Sequence, residues 1–383
     1  MTLNAAIAGI GLTEQAKFLD SSSISICVDA LQLALEDAGM RLSDVDGIAA
    51  RWPGPGGTKF DPGVVDWTGI LGSSFRWVGD TYPQGVPGVL DAAAAISAGL
   101  CDVAVVFGGQ AGVLGDSNLA PYTRPNNEFV APYGLFTAAH FALIAQVYFK
   151  RFHPNRDRLS EIAATIRNAG SLNPNAVMYG RGPYKPSDIT DSPLICDPFH
   201  LLDLCLATEG ASAVVVTSIE RARDCPNKPV RILSGSSEWY RQQYVNPPRY
   251  DEVGDIGKDA FSRTFSSAGL TASDIDVYEL YDINTWEIVR QFEVMGLCGE
   301  GEGVDFLHEN GIKWDQRFPT NTDGGLLSFS HTGWGGPTLK VVEGVKQLRG
   351  TAISGQVKKP ETALISGAGS GAQYFNAAIL CVD

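Results

Sequence analysis

The sequence has no cysteines at metal-ligand or redox spacing. Its seven cysteines (Cys27, Cys101, Cys196, Cys205, Cys225, Cys298 and Cys381) are odd in number and scattered, without a C-x-x-C pair. That excludes a disulfide frame and a zinc site, and it reads as the reduced thiols of a cytoplasmic protein, mostly core fillers. No metal is therefore expected. Long hydrophobic runs are also missing: nothing approaches the roughly 18–20 apolar residues that span a bilayer. The opening "MTLNAAIAGIGLTEQ" lacks the basic residues that precede the apolar part of a signal peptide, so no membrane span or export signal is expected. Positive charge is in deficit, with 29 Lys and Arg against 43 Asp and Glu and a formal net charge of −14. An acidic chain repels phosphate backbones, which argues against nucleic-acid binding while leaving room for a local basic pocket for a nucleotide. The dinucleotide form of G-x-G-x-x-G is absent from the glycine-rich C-terminal turn. Histidine is scarce, with five in 383 residues.

What is present is ordinary α/β material. Hydrophobic residues make up 44% and charged ones 19%, with 43 glycines, enough to build two core-bearing halves. "AAIAGIG" (5–11) reads as a buried strand, and "SSSISICVDALQLALEDAG" (21–39) as a serine-capped helix stopped by Gly39. "VPGVLDAAAAISAGLCDVAVVFGG" (86–109) is an Ala-rich buried helix followed by a strand. Residues of about 112–206 form a polar, proline-bearing insertion with helices at 136–152 and 158–172, and "GASAVVVTS" (210–218) returns to the core. The series then repeats: a strand at 230–238, a helix at 255–270, a strand at 276–282, a helix at 285–296, and two strands around a glycine turn at 362–383. "EDAGMRLSDVDGIAA" (36–50) and "SSAGLTASDIDVYEL" (266–280) match nearly element for element, which points to duplication with fusion. The halves are expected at 1–225, with the insertion as a loop domain, and 226–383.

Four segments could carry chemistry. "YPQGVPGVLDAAAA" (82–95) opens a helix whose first amides could hold an anion, or is simply a helix start. "YELYDINTWE" (278–287) ends a strand at Tyr281 and Asp282; Asn284 reads as a candidate N-cap, and Asp282 as either a cap or a group orienting the site. "TNTDGGLLSFSHTGWGGP" (320–337) places His331 in a glycine-rich turn before a helix. "SGAGSGAQ" (366–373) has three glycines that let backbone amides approach a ligand.

In this order the segments resemble the thiolase superfamily. "NTDGGLLSFSHTGWGGPTLKVVEGVKQLRG" is similar to its "NT-x-GG … GH-x-x-G-x-x-G … E-x-x-x-QLRG" signature, within the sterol-carrier and lipid-transfer-protein branch. "AAIAGIGLTEQAK", "LEDAGMRLSDVDGI", "NAGSLNPNAVMYG", "ICDPFHLLDLCLATEGASAVVVTS" and "YELYDINTWEIVRQFEVMGLCGEGEG" extend the likeness over nearly the whole chain. The resemblance implies a thiolase-like five-layered αβαβα duplication with a loop domain inserted in the first half. It also implies a homodimer and a coenzyme A thioester as substrate, with no permanently bound cofactor.

The sequence departs from thiolases at the thiols. The position of the nucleophilic cysteine falls on Gly85, with Gly88 matching the motif glycine. The "H-D-C-F" segment reads "YDIN", with Tyr281 for histidine and Ile283 for cysteine, and "C-x-GGG-x-G" reads "SGAGSG". Cys101 lies too far along to substitute. Without a thiolate no acyl-enzyme forms by the usual route. The remaining groups suit proton transfer beside a stabilised enolate, which is what a retro-aldol cleavage needs. The chain is similar here to the steroid side-chain-cleaving acyl-CoA aldolases of this branch, which also lack the cysteine and carry "L-Y-D" at Tyr281. It differs from them at His331, where they carry tyrosine. The resemblance further implies a small OB-fold, zinc-ribbon partner subunit. Tyr281 and His331 are the expected proton-transfer pair, with Asp282 orienting one of them and amides near Gly85 and Gly369 as oxyanion donors. Tyr281 could instead only pack on Trp286. The competing functions are thiolase-type acyl transfer with another nucleophile and a non-catalytic acyl-CoA or lipid-binding scaffold.

Overall fold

A computed structural model describes residues 3–50, 64–79, 85–112, 137–239, 255–333, 336–369 and 374–382. The first half runs β1 (Ala6–Leu12), α1 (Ser23–Ala38), β2 (Gly47–Ala50), α2 (Val64–Leu71), β3 (Trp77–Gly79), α3 (Val86–Ser97) and β4 (Val103–Gln110). The insertion carries α4 (Thr137–Phe152), α5 (Arg156–Leu172), α6 (Pro186–Thr190) and a small hairpin, β5 (Leu194–Cys196) with β6 (Phe199–His200). β7 (Gly210–Thr217) and the short α7 (Ile219–Ala222) return to the core. The second half runs β8 (Val230–Trp239), α8 (Lys258–Ala268), β9 (Val277–Glu279), α9 (Thr285–Val294), α10 (Gly303–Asn310), α11 (Gly336–Arg349), β10 (Thr362–Gly369) and β11 (Tyr374–Cys381). Each expected helix and strand is present with shifted ends; the helix expected at 255–270 spans Lys258–Ala268, and of 276–282 only Val277–Glu279 pairs as a strand.

The large strands form one mixed sheet in the order β3-β2-β4-β7-β1-β8-β11-β10-β9. Its halves are joined by a short antiparallel contact, Ala6 opposite Arg231 and Ile7 opposite Val230. Successive side chains along a strand point to opposite faces, and here both faces are covered, which explains the unbroken apolar runs. Ala6, Ala8, Val103, Val105, Phe107, Ala213 and Val215 pack under α1. The alternate residues Ile7, Ala104, Val106, Val214 and Val216 pack on α3 and α11. Those two helices are covered on their other side by Val230, Ile232, Ala363, Ile365, Ala378 and Leu380. The remaining face, with Leu364, Phe375, Ala377 and Ile379, lies under α8, α9 and the insertion helices. The result is five layers, α-β-α-β-α, with α3 and α11 in the middle. Close layering depends on small residues: a Cβ at Gly11 would stand 2.0 Å from the Ala30 carbonyl oxygen of α1.

The sequence echo reappears as paired hydrogen bonds. α1 ends at Gly39 (φ 66°) and α8 at Gly269 (φ 68°). In the turns that follow, Asp44 Oδ2 accepts from Arg41 N at 2.8 Å and Asp274 Oδ2 from Thr271 N at 2.7 Å. Then Asp46 accepts from the amides of Asp102 and Val103, and Asp276 from those of Glu361 and Thr362. Each carboxylate ties the next strand of its half to a distant one.

Candidate active site

The site is built where β9 ends, at the segment that leads into β7, and at the turn before α11. Past β9, Tyr281 is held through its backbone on both sides. Its N–H donates to Ser366 Oγ (2.9 Å) and its carbonyl accepts from Gln291 Nε2 (2.8 Å). Ser366 Oγ in turn donates to Gln291 Oε1 (2.5 Å). The Tyr281 side chain is buried in the hydrophobic cluster that also contains Trp286. Asn284 caps α9, its side-chain oxygen accepting from Glu287 N at 2.9 Å, so the capping role read from sequence is the one it has.

Asp282 is fully buried and is not the N-cap of α9. Its Oδ1 accepts from Leu326 N (2.9 Å) and its Oδ2 from Leu327 N (3.3 Å). These amides belong to a π-helical turn, Gly325–Phe329, within the segment expected as a glycine-rich turn. Wide turns of this kind recur at functional sites because they redirect a short stretch of backbone. Glycine is required at its start: Gly325 has φ +58°, and a Cβ there would stand 2.1 Å from Asp282 Oδ2. No hydrogen bond among the described residues joins Asp282 to the Tyr281 or His331 side chain. It holds the backbone that delivers His331.

His331 follows that turn, and its main chain is fixed by a chain of donors with a single direction. His331 N–H donates to Thr208 Oγ1 (2.7 Å). The Thr208 hydroxyl therefore gives its proton to Ser330 Oγ (2.8 Å), which donates to Gln15 Oε1 (2.7 Å). The ring's Nδ1 lies 3.1 Å from the Leu206 carbonyl oxygen and 3.4 Å from Cys205 Sγ. A carbonyl can only accept, so the proton is assigned to Nδ1 and Nε2 is left with a free lone pair. Burial pushes the His331 pKa down to about 4, against the Leu206 hydrogen bond, which raises it, and with help from the Lys340 charge. The ring is therefore neutral near pH 7 with a basic Nε2.

Two groups of this site were missed in sequence. Cys205, read as one core filler among seven, stands beside His331. Its own N–H donates to the carbonyl of Ile283 (3.0 Å), so it links the Tyr281 strand end to the histidine. Burial, with the Asp282 charge adding to it, pushes its thiol up to about 12. No local pattern marks it, because its partner is 126 positions away. The other is Lys340, 1% exposed, whose Nζ lies 2.9 Å from Asp282 Oδ1 and 4.0 Å from Glu279 Oε2. Asp323 and Glu343 are buried nearby in the same cluster. Burial works against the Lys340 ammonium, yet Asp282, Glu279 and Asp323 together outweigh it and hold its pKa above the usual value. Its sequence signal was a polar stripe, Lys340-Glu343-Gln347, beside the apolar residues Leu339, Val341, Val342, Val345 and Leu348 of the same helix.

Gly85 is the N-cap of α3, buried, with φ 98° and ψ −124° that favour glycine. Pro87 has no N–H, so the first-turn amides available as donors are those of Val86 and Gly88. Gly369 closes β10 opposite Tyr374, while residues 370–373 of that turn lie outside the described residues, as do 82–84 and 334–335. Cys101 is buried under Gly47, with its thiol pushed up to about 12 by burial. His200 bonds Ser192 O and His308 bonds Glu161, both in or beside the insertion. Among the described residues no group of three His, Cys, Asp or Glu could hold a metal ion, and no helix is long and apolar enough to cross a membrane.

Known proteins are similar to this chain over most of its length. Residues 252–381 match the family described as "Thiolase C-terminal domain-like". The chain is 33% identical over 371 residues to the 17-hydroxy-3-oxo-4-pregnene-20-carboxyl-CoA lyase of Mycobacterium tuberculosis, covering 91% of this chain and 92% of the relative. It is 31% identical over 377 residues to the steroid side-chain-cleaving aldolase of Thermomonospora curvata, with 91% of each covered. The solved structure of the Ltp2-ChsH2(DUF35) aldolase superposes with a TM-score of 0.86 at 27% identity, over 99% of this chain and 98% of that one. The chain thus belongs to the thiolase superfamily, in its sterol-carrier-protein-like branch.

Proposed function

We propose that the protein is an acyl-CoA carbon–carbon lyase that cleaves a bulky 3-hydroxyacyl-CoA, of steroid type, by a retro-aldol reaction. The observation that carries this reading is a site arranged for proton transfer and not for a thiolate. Gly85 stands at the helix start where an acylated cysteine would sit, and the thiol beside His331 is held protonated. His331 Nε2 takes the proton of the β-hydroxyl, the Cα–Cβ bond breaks, and its electrons pass into the thioester enolate as the Cβ carbonyl forms. The Tyr281 phenol supplies the proton that the enolate carbon gains, and the imidazolium returns a proton to the phenolate. No net proton or free coenzyme A is consumed. Amides near Gly85, at the start of α3, and near Gly369 stabilise the enolate oxygen. The products are acetyl- or propionyl-CoA and a ketone or aldehyde.

Two relatives of 31–33% identity are a lyase and an aldolase, which supports this reading. The name of the solved neighbour pairs its aldolase with a second component, and we extend that to a small OB-fold, zinc-ribbon subunit here, with a homodimeric, cytoplasmic enzyme. Purified protein, alone and with such a partner, is to be assayed on a steroid 3-hydroxyacyl-CoA and on its analogue lacking the hydroxyl. Cleavage of the first alone, without added coenzyme A and insensitive to iodoacetamide, is expected. Tyr281→Phe and His331→Ala variants that both cleave at the wild-type rate would overturn the mechanism. Cleavage that needs coenzyme A and is lost in Cys205→Ser would instead establish thiolase-type acyl transfer.

A further inference from the structure

We infer that Lys340 is a positioning residue of this site, acting through Asp282 on the π-helical turn that carries His331. The inference rests on the reading of His331 as the proton-transfer group. The path is continuous. Lys340 Nζ lies 2.9 Å from Asp282 Oδ1, and that carboxylate receives the amides of Leu326 and Leu327. Leu326 O accepts from Leu206 N (2.9 Å), and Leu206 O holds the His331 ring at Nδ1 (3.1 Å). One ammonium thus fixes the carboxylate that shapes the turn, and the turn fixes both His331 and the carbonyl that sets its tautomer. The effect is directional, because a buried charge pair has one good geometry and a costly alternative.

Lys340 is the only lysine or arginine in contact with this carboxylate among the described residues, and it stands among an excess of acids. Glu279 and Asp282 face it from the end of β9, Asp323 from the turn, and Glu343 from its own helix; Lys346 and Arg167 act at longer range. Glu279 Oε2, buried, has no hydrogen-bond partner and lies 4.0 Å from the ammonium. Removing the Lys340 charge therefore leaves Asp282 a buried carboxylate without its counter-ion, which costs free energy and loosens the arrangement in which it holds the two amides.

The test compares Lys340→Met, Asp282→Asn and the double variant in the full-length protein with its partner. Hydrogen exchange of residues 324–331 and the imidazole titration of His331 need no substrate. Expected in Lys340→Met are amide exchange at Leu326 and Leu327 faster by tenfold or more, a His331 midpoint moved upward from about 4, and kcat at least tenfold lower with KM within about threefold. In the Asp282→Asn background the same Lys340→Met change has little further effect on exchange at Leu326 and Leu327 or on kcat, while the His331 midpoint still rises by the direct loss of the Lys340 charge. Additive losses in the double variant, or unchanged exchange at Leu326 and Leu327 in Lys340→Met, overturn the inference and leave Lys340 a packing residue. Should Lys340→Met not fold, Lys340→Arg, which keeps the charge at a different reach, is read by the same exchange and titration. Retained exchange protection supports positioning by charge, and lost protection at a preserved fold refutes it. If the protein has no lyase activity at all, the exchange and titration results still decide the inference, so the two failures are distinguishable.

Discussion

The state of His331 gives the sharpest quantitative test. Its pKa of about 4 is set by burial, which outweighs the hydrogen bond to the Leu206 carbonyl. At pH 5.0 an imidazole of ordinary pKa 6.5 is ~97% protonated, while one titrating near 4 is only ~9% protonated. The folded value lies below the unfolded one, so the unfolded chain binds a proton first as pH falls. Stability is therefore lost as pH drops from about 6.5 to about 4 and is level below that. For this residue the loss between pH 7.5 and 5.0 is at most ~2 kcal/mol, less to the extent that solvent reaches the partly buried ring. His140 is shifted the same way by burial, to about 4, and adds to the acid sensitivity of the wild type. The contribution of His331 is therefore taken as the difference between wild type and His331→Gln. The assay is an imidazole NMR titration from pH 8 to 4, with the ring assigned by its absence in His331→Gln, alongside the pH profile of kcat/KM. Expected are a midpoint near 4, a protonated Nδ1, and no limb in kcat/KM between pH 6 and 7 from this group. A midpoint near 6.5, or a bare Nδ1, would refute the argument that burial and the Leu206 carbonyl hold the ring neutral with Nε2 free.

Two further outcomes follow from the packing beneath it. Gly325→Ala places a Cβ within 2.1 Å of Asp282 Oδ2 at φ +58°, so the turn must shift; circular dichroism should stay native while kcat falls by at least ~100-fold, since small misplacements cost that much, and near wild-type turnover would contradict the role given to this turn. Glu343 is buried beside Asp323, and burial lifts its carboxyl to about 8, so its folded pKa exceeds the unfolded one and stability is lost as pH rises from about 4.5 to 8. Glu343→Gln, which keeps the acceptor for Gln347 Nε2, should raise Tm by a few degrees at pH 8.5 and less at pH 5; an unchanged or lower Tm at pH 8.5 would show that the carboxyl is not strained by its surroundings.

The sequence by itself determined the layers and the family. Hydrophobic period is a local property, and in β4 and β7 the unbroken apolar run already required cover on both faces. The duplication was legible because the same turn chemistry, a glycine stop followed by an aspartate cap, occurs in both halves at residues 39–46 and 269–276. The resemblance to the thiolase superfamily singled out Tyr281, Asp282 and His331 as the expected site residues and aligned Gly85 with the cysteine position. What only the tertiary structure decided is which of these groups touch. The Cys205–His331 contact spans 126 residues and the Leu326–Asp282 bond 44, so neither leaves a periodic trace. The neutral His331 ring and the protonated Cys205 thiol depend on burial, which no window of sequence reports. Lys340 is the clearest case: in sequence it is one lysine in an amphipathic helix, and only the packing of α11 between the two strand layers turns it into a buried cation paired with Asp282.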